Sequence, residues 1–176
     1  MVMIDLITGF LGSGKTTFLK KYAEYLMDQG LHIGILENDF GAINVDMLML
    51  HELRGDQCEL EMIAGGCDAE SHRRRFRTKL ISMRMCGYDR VLVEPSGIYD
   101  VDEFFDVLRE DPLDQWYEIG NVIAILDARL ENNLSQQADY LLASEAANAG
   151  KVILSHADAA TREQCEDTVA DRKSVV

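Results

Sequence analysis

Short runs of β-branched and other apolar residues recur along the chain, separated by longer stretches whose apolar positions return every three or four residues. A continuous apolar run or a period of two marks a strand, and a period near 3.6 marks a helix. VMIDLIT, HIGILEN, RVLVEPS, NVIAILDA and KVILSHA read as strands. Each is apolar enough to be buried on both faces, as strands of a parallel sheet are. CELEMIA at 58–64 alternates instead and reads as an edge or hairpin strand beside the second run. Helices are expected at about residues 15–29, 69–86, 101–110, 134–148 and 161–170. The βαβα alternation predicts an α/β fold, a mostly parallel sheet flanked by helices.

With 176 residues, 47% of them apolar and 27% charged, the chain can bury a core without cross-links and is far from disorder. We expect one domain over residues 1–176, without repeats. A net charge of −14 opposes a phosphate backbone, so nucleic acid is not an expected partner. The one basic cluster, HRRRFRTK at 72–79, reads as a solvated or internally paired helix face. Cys58, Cys67, Cys86 and Cys165 are scattered, unlike a secreted disulfide framework, which points to a reducing, cytoplasmic setting. No window approaches about 18 continuous apolar residues, so no membrane association is expected.

GFLGSGKT, residues 9–16, satisfies GxxxxGK[ST] through Gly9, Gly14, Lys15 and Thr16, and it sits between a strand pattern and a helix pattern. Such a loop curls its N–H groups around phosphate, adds the dipole of the following helix, and lends a lysine to the β/γ oxygens. The expected nucleotide contacts are therefore Gly9, Leu11, Gly12, Ser13, Gly14, Lys15, Thr16 and Thr17, with Thr16 also holding Mg²⁺. Phosphoryl transfer needs a further acid for that metal, usually at the end of another buried strand. Glu94, ending RVLVE, is the first candidate, and Glu37 and Asp39 in GILENDFG are the second. Asp127, ending NVIAILD, is another strand-end acid with an equal claim to a structural or capping role.

With GFLGSGKTT, ENDFG, GGC and EPSG in this order, the chain resembles the CobW-like GTPases, relatives of the nickel-insertion and urease-maturation GTPases, over essentially its whole length. The resemblance implies a P-loop NTPase architecture of the SIMIBI type, binding of GTP and Mg²⁺, and a slow GTPase switch with Lys15, Thr16 and Glu94 as its catalytic residues. It also implies delivery of a metal to a client metalloprotein or corrinoid protein, and self-association as a homodimer.

Two stretches depart from the family pattern. Its GCxCC metal signature is represented here by Gly66, Cys67, Asp68, Ala69 and Glu70, one thiol of three. Cys67 and His72, with Asp68, Glu70 and the Glu37 that the resemblance places nearby, make a mixed donor set for Zn²⁺, Co²⁺ or Ni²⁺. The other reading makes Cys67 an ordinary loop cysteine and pairs the acids with Arg73 to Arg75. In place of the guanine-reading NKxD stand Ser155, His156, Ala157 and Asp158. Asp158 keeps the discriminating carboxylate, and His156 is either a replacement for the stacking lysine or a plain strand-end histidine. Family members carry a further C-terminal domain, so the expectation is a GTPase domain alone. The stretch from Asp39 to about Cys67, poor in regular pattern, is the expected moving part. A small-molecule kinase with Arg73 to Arg75 as a lid, and a nucleotide-dependent interaction module without turnover, remain the alternatives.

Overall fold

The computed structural model describes residues 1–39, 45–64, 69–95, 101–129 and 145–173. Six strands form one sheet: β1 (Val2–Thr8), β2 (Ile33–Asp39), β3 (Cys58–Ala64), β4 (Arg90–Pro95), β5 (Tyr117–Asp127) and β6 (Lys151–Ser155). Their order is β3-β2-β4-β1-β5-β6, and every pairing is parallel. The helices are α1 (Lys15–Asp28), α2 (Val45–Leu50), α3 (Ala69–Arg84), α4 (Val101–Leu108), α5 (Leu113–Trp116) and α6 (Arg162–Lys173). Residues 145–148 are also helical, and His51–Leu53 make a 3₁₀ turn.

Alternation along the strands sorts the apolar residues into two layers. Val2, Ile4 and Leu6 of β1 join Val91 and Val93 of β4 on one face, where Phe76, Leu80 and Met83 of α3, Phe104 and Val107 of α4, and Leu113 of α5 pack on them. Ile7, Ile33, Ile35 and Leu92 point the other way and meet Leu19, Ala23 and Leu26 of α1 and Leu50 of α2. Each such side chain contributes about 1.5–3 kcal/mol when fully buried, and Phe76, Phe104, Ile4, Leu6 and Leu19 are almost wholly so. Burial on both faces is the physical content of the near-continuous apolar runs in the sequence.

CELEMIA is indeed the edge strand beside the second run, but it is no hairpin. Its register runs from Ile33 opposite Cys58 to Asp39 opposite Ala64, in parallel. A parallel neighbour requires a crossover, and α2 with the 3₁₀ turn lies in it. The stretch after Asp39 thus holds more regular structure than its sequence pattern shows. α3 stops at Arg84 and α4 at Leu108, each two residues short of the expected end. Of the helix expected at 134–148, only residues 145–148 fall among those described. Arg73 and Arg77 of α3 both grip Glu110 just beyond α4, at 2.6 and 2.9 Å, so part of the basic cluster is internally paired.

β5 begins at Tyr117, four residues before the apolar run that announces it. The reason is a bulge. Ile4 pairs with Ile119 and Leu6 with Val122, so Gly120 and Asn121 together oppose Asp5. A bulge leaves backbone groups unpaired, and here the Asn121 N–H donates to Asp5 Oδ1 at 2.7 Å. The approach is so close that a Cβ on Gly120 would lie 2.2 Å from that oxygen. Asp5 Oδ2 accepts from Arg90 Nη1 at 2.7 Å and from the Tyr22 hydroxyl at 2.8 Å, while Asn121 Nδ2 donates to Tyr22 at 3.0 Å. Asp5 is wholly buried, with a relative exposure of 0%. Burial and the Asp5 hydrogen bond hold the Tyr22 hydroxyl above its ordinary pKa. One carboxylate thus joins β1, β4, β5 and α1.

Removing one partner of a buried ion pair strands the other, at about 3–5 kcal/mol. Asp5→Ala is therefore expected to lower the melting temperature by on the order of 10 °C, as calorimetry would read it. An unchanged melting temperature would show that the network adds nothing.

Candidate functional site

Because all six strands are parallel, their C-terminal ends share one edge, where ligands of open α/β sheets bind. Thr8, Asp39, Pro95, Asp127 and Ser155 close five of the strands there. β1, in the interior of the sheet, runs directly into the glycine-rich loop, and α1 leaves that loop at Lys15 with Gly14 as its N-cap.

The loop is shaped by contacts as well as by glycine. Gly9 has φ 142°, and a Cβ on it would stand 2.2 Å from the Ile125 carbonyl oxygen of β5. The backbone therefore turns tightly against the neighbouring strand, where a side chain has no room. Leu11 and Gly12 are exposed at the loop's tip, and Thr17 is exposed on the first turn of α1. Ser13 is buried, its N–H bonded to the Phe10 carbonyl at 3.1 Å. Its hydroxyl finds no hydrogen-bond partner among the described residues. A buried orphan hydroxyl beside the start of a helix suits an oxygen-rich anion. Lys15, 7% exposed, turns back to donate to the Phe10 carbonyl at 3.2 Å. A phosphate would be a stronger acceptor for that ammonium than a neutral carbonyl.

Beside the loop stand two acids. Glu37 of β2 and Glu94 of β4 are register partners on adjacent strands, 3% and 6% exposed. Thr16 Oγ1 donates to Glu94 Oε1 at 2.8 Å, a buried bond between positions 78 apart in sequence. Hydroxyl and carboxylate oxygens are the donor set of a hard cation such as Mg²⁺. These strand-end acids and the P-loop, read separately from the sequence, thus form one group.

On the far side, Gly14 approaches the end of β6, a Cβ on it falling 3.7 Å from Ser155 Cβ. His156 follows with φ 53°, an unusual conformation for a non-glycine residue. Its Nδ1 lies 3.1 Å from Asp127 Oδ2 and 3.2 Å from Ser155 Oγ. Arg129 caps Asp127 from its backbone N–H and side chain at 2.9–3.1 Å. The Arg129 bonds, reinforced by His156 against a partial burial, hold the Asp127 carboxyl below its usual range. Asp158 is exposed and adds to the field on Arg129. Asp127 thus organises the loop that bears His156 and Asp158, the structural role left open for it.

The expected transition-metal donors do not come together among the described residues. Cys67 and Asp68 lie outside those residues. His72 is 3% exposed, with Nδ1 3.0 Å from Glu103 Oε1 on α4. No group of three or more His, Cys, Asp or Glu side chains able to hold a metal is found among the described residues. Cys58 is no substitute, since burial, aided by Glu59, pushes its thiol up to about 11. A groove of about 590 Å³ lies elsewhere, between β3 and α3, lined by Met62, Ile63, Arg74, Arg75 and Lys79. None of the P-loop residues borders it. Among the described residues, no helix is long and apolar enough to cross a membrane.

Two features escaped the sequence reading. The Asp127–Arg129–His156 clasp had a faint signal in the polar residues at two neighbouring strand ends. Glu145, 3% exposed and with its carboxyl pushed up by burial, had none, because a lone glutamate in SEAANAG looks like a solvated helix position.

A family model described as CobW/HypB/UreG, nucleotide-binding domain, matches residues 3–176. The zinc chaperone YeiR of Escherichia coli K12 is 28% identical over 164 residues, which span 93% of this chain and 49% of YeiR. The zinc chaperone YjiA of the same organism is 29% identical over 172 residues, 90% of this chain and 50% of YjiA. The chain thus spans about half the length of these curated relatives. The crystal structure of Zn(II)-bound YjiA GTPase from E. coli superposes with a TM-score of 0.59 at 21% identity, covering 96% of this chain and 54% of that one. This likeness supports the fold.

Gly9→Ala is expected to destabilise the protein by about 2–5 kcal/mol, since the new methyl meets rigid β5 backbone at a φ that alanine resists. Gly12→Ala, with nothing within 4 Å of its Cβ, should cost only about 1 kcal/mol. Urea denaturation compares them, and equal losses would contradict the packing of Gly9 on β5.

Proposed function

The chain belongs to the CobW/HypB/UreG nucleotide-binding family, and we propose that it binds GTP with Mg²⁺, hydrolyses it slowly, and uses the cycle to assist delivery of a metal to a client protein. The observation that carries this reading is the Thr16–Glu94 hydrogen bond beside Glu37 and Lys15, four buried polar residues at the mouth of the P-loop. Lys15 leaves the Phe10 carbonyl for the β/γ oxygens, while the loop N–H groups and the Ser13 hydroxyl take the remaining phosphate oxygens. Thr16 and Glu94, with Glu37 as a neighbouring acid, would hold Mg²⁺, which neutralises charge on the phosphates; the side chain of Asp39 lies outside the described residues. Asp158 would be the acceptor for guanine, and His156, held by Asp127, would pack on the base. We assign no general base, so turnover is expected to be slow until a partner or bound metal completes the site.

Zinc is the favoured cargo because YeiR and YjiA carry the name of zinc chaperones. Co²⁺ and Ni²⁺ would suit the same mixed donor chemistry, with Cys67 as its thiolate. The client would be a metalloprotein or a corrinoid protein, and a homodimer is the proposed assembly. The kinase alternative loses support, since Arg73 is engaged by Glu110.

Phosphate release from GTP and ATP tests the enzyme reading. Lys15→Ala should slow GTP hydrolysis by about 100-fold or more, and equal rates in both proteins would overturn it. Saturating Zn²⁺ should raise wild-type stability by about 2.7 kcal/mol at 100 times its Kd. Cys67→Ala should lose most of that rise in a thermal shift assay, and an equal rise would remove Cys67 from the donor set.

A further inference from the structure

The basic cluster of α3 divides between two faces of the helix. Arg73 and Arg77 both reach Glu110, and Arg77 Nη2 also donates to the Asp111 carbonyl at 2.8 Å. Arg74, Thr78 and Ser82 follow the same helical spacing one position on, with Arg75 and Lys79 beside them. This second face is one wall of the groove of about 590 Å³, and Met62 and Ile63 of β3 are the other. Among the described residues, no carboxylate lines it.

The cations of the groove are not equally committed. Lys79 Nζ holds Glu61 Oε2 at 2.7 Å, and Arg75, like Met62, takes part in a further interaction within the chain. Arg74 differs. It is exposed, and among the described residues its guanidinium has no ion-pair or hydrogen-bond partner, the Thr78 hydroxyl donating only to its carbonyl at 2.8 Å. Beneath it Met62 is 39% exposed and Ile63 is buried. Apolar side chains framed by polar ones are the pattern of an interaction surface.

We propose that this groove docks a short acidic segment of a partner protein, with a carboxylate on Arg74 and an apolar side chain over Met62. The proposal gives the partner of the delivery reading above a chemistry, and it rests on that reading for the partner's role. Charge selects the occupant. A chain of net charge −14 repels acidic partners as a whole, yet screening confines such fields to about 8 Å at physiological salt, so the cations at contact decide. A carboxylate can meet a guanidinium through two parallel hydrogen bonds. Nucleic acid would carry its phosphates on past the groove, against the acidic remainder of the surface. A strand added to β3 would run beside Glu59 and Glu61, which oppose it. The segment therefore lies along α3, following Arg74, Thr78 and Ser82.

The test is fluorescence anisotropy of the intact protein, without nucleotide or metal, against short labelled peptides in which Asp and Glu alternate with Leu at several spacings. At least one should bind with a Kd below about 1 mM. Raising the salt from about 50 to about 300 mM should weaken it about threefold or more, a readout that needs no variant. Arg74→Glu should weaken it about fivefold or more. Arg162→Glu, the same change of charge at a 92% exposed arginine on α6, should leave the affinity within about twofold. Equal losses in the two variants, equal binding of peptides of Lys and Leu, or tighter binding of an oligodeoxythymidylate overturns the inference. A wild type that hydrolyses GTP and takes up Zn²⁺ yet binds no acidic peptide overturns the docking surface alone. One that binds the peptide yet does neither overturns the delivery reading alone.

Discussion

The geometry of the site depends on how one buried carboxylate settles a register problem. Asp5 stands where β5 carries one residue more than β1, and it accepts the N–H that the bulge would otherwise leave bare. A slip of one residue turns every following side chain to the opposite face. With the bulge in place, Val122 joins the α3/α4 layer while Ile123 and Ile125 join the α1 layer. Beyond it, the Ile125 carbonyl meets Gly9, and Asp127 pairs with Ser155. A polar group midway along β1 thus sets the wall against which the glycine-rich loop turns.

The strands were legible because a sheet buried on both faces writes itself as apolar runs, and GFLGSGKT was legible because its chemistry is local. Eight consecutive residues carry most of the expected phosphate contacts, so spacing alone carries the message. Glu37 and Glu94 were legible by a weaker route, as acids placed where buried strands end. Their adjacency was not, since register between β2 and β4 is a property of the fold. The parallel direction of β3 was hidden for the same reason. Asp5 reads as a polar interruption in VMIDLIT, and nothing near it announces Arg90, Tyr22 or Asn121 as its partners. Glu145 was illegible because its environment is built from residues more than a hundred positions away.

Electrostatically, the loop is a mixed neighbourhood within a chain of net charge −14. Lys15 serves a space bordered by the buried acids Glu37 on β2 and Glu94 on β4. A phosphate ligand entering such a place would gain from the lysine and lose from the acids, a balance that a divalent cation would shift in its favour. His156 and Asp127 repeat the theme at the ends of β5 and β6, where the histidine is steadied by a carboxylate that Arg129 keeps ionised.

β3 at the sheet's edge has a bearing on the behaviour of the protein in concentrated solution. Its outer row of backbone groups is a template for strand addition by another molecule. The strand carries Glu59, bonded by the Tyr88 hydroxyl, and Glu61, held by Lys79 at 2.7 Å, around a Met62 that is 39% exposed. Charges spaced along an edge oppose the docking of a second strand. Colloidal stability at that border is therefore in the care of two carboxylates, Glu59 and Glu61, and neutralising them would leave an open ribbon with Met62 at its surface.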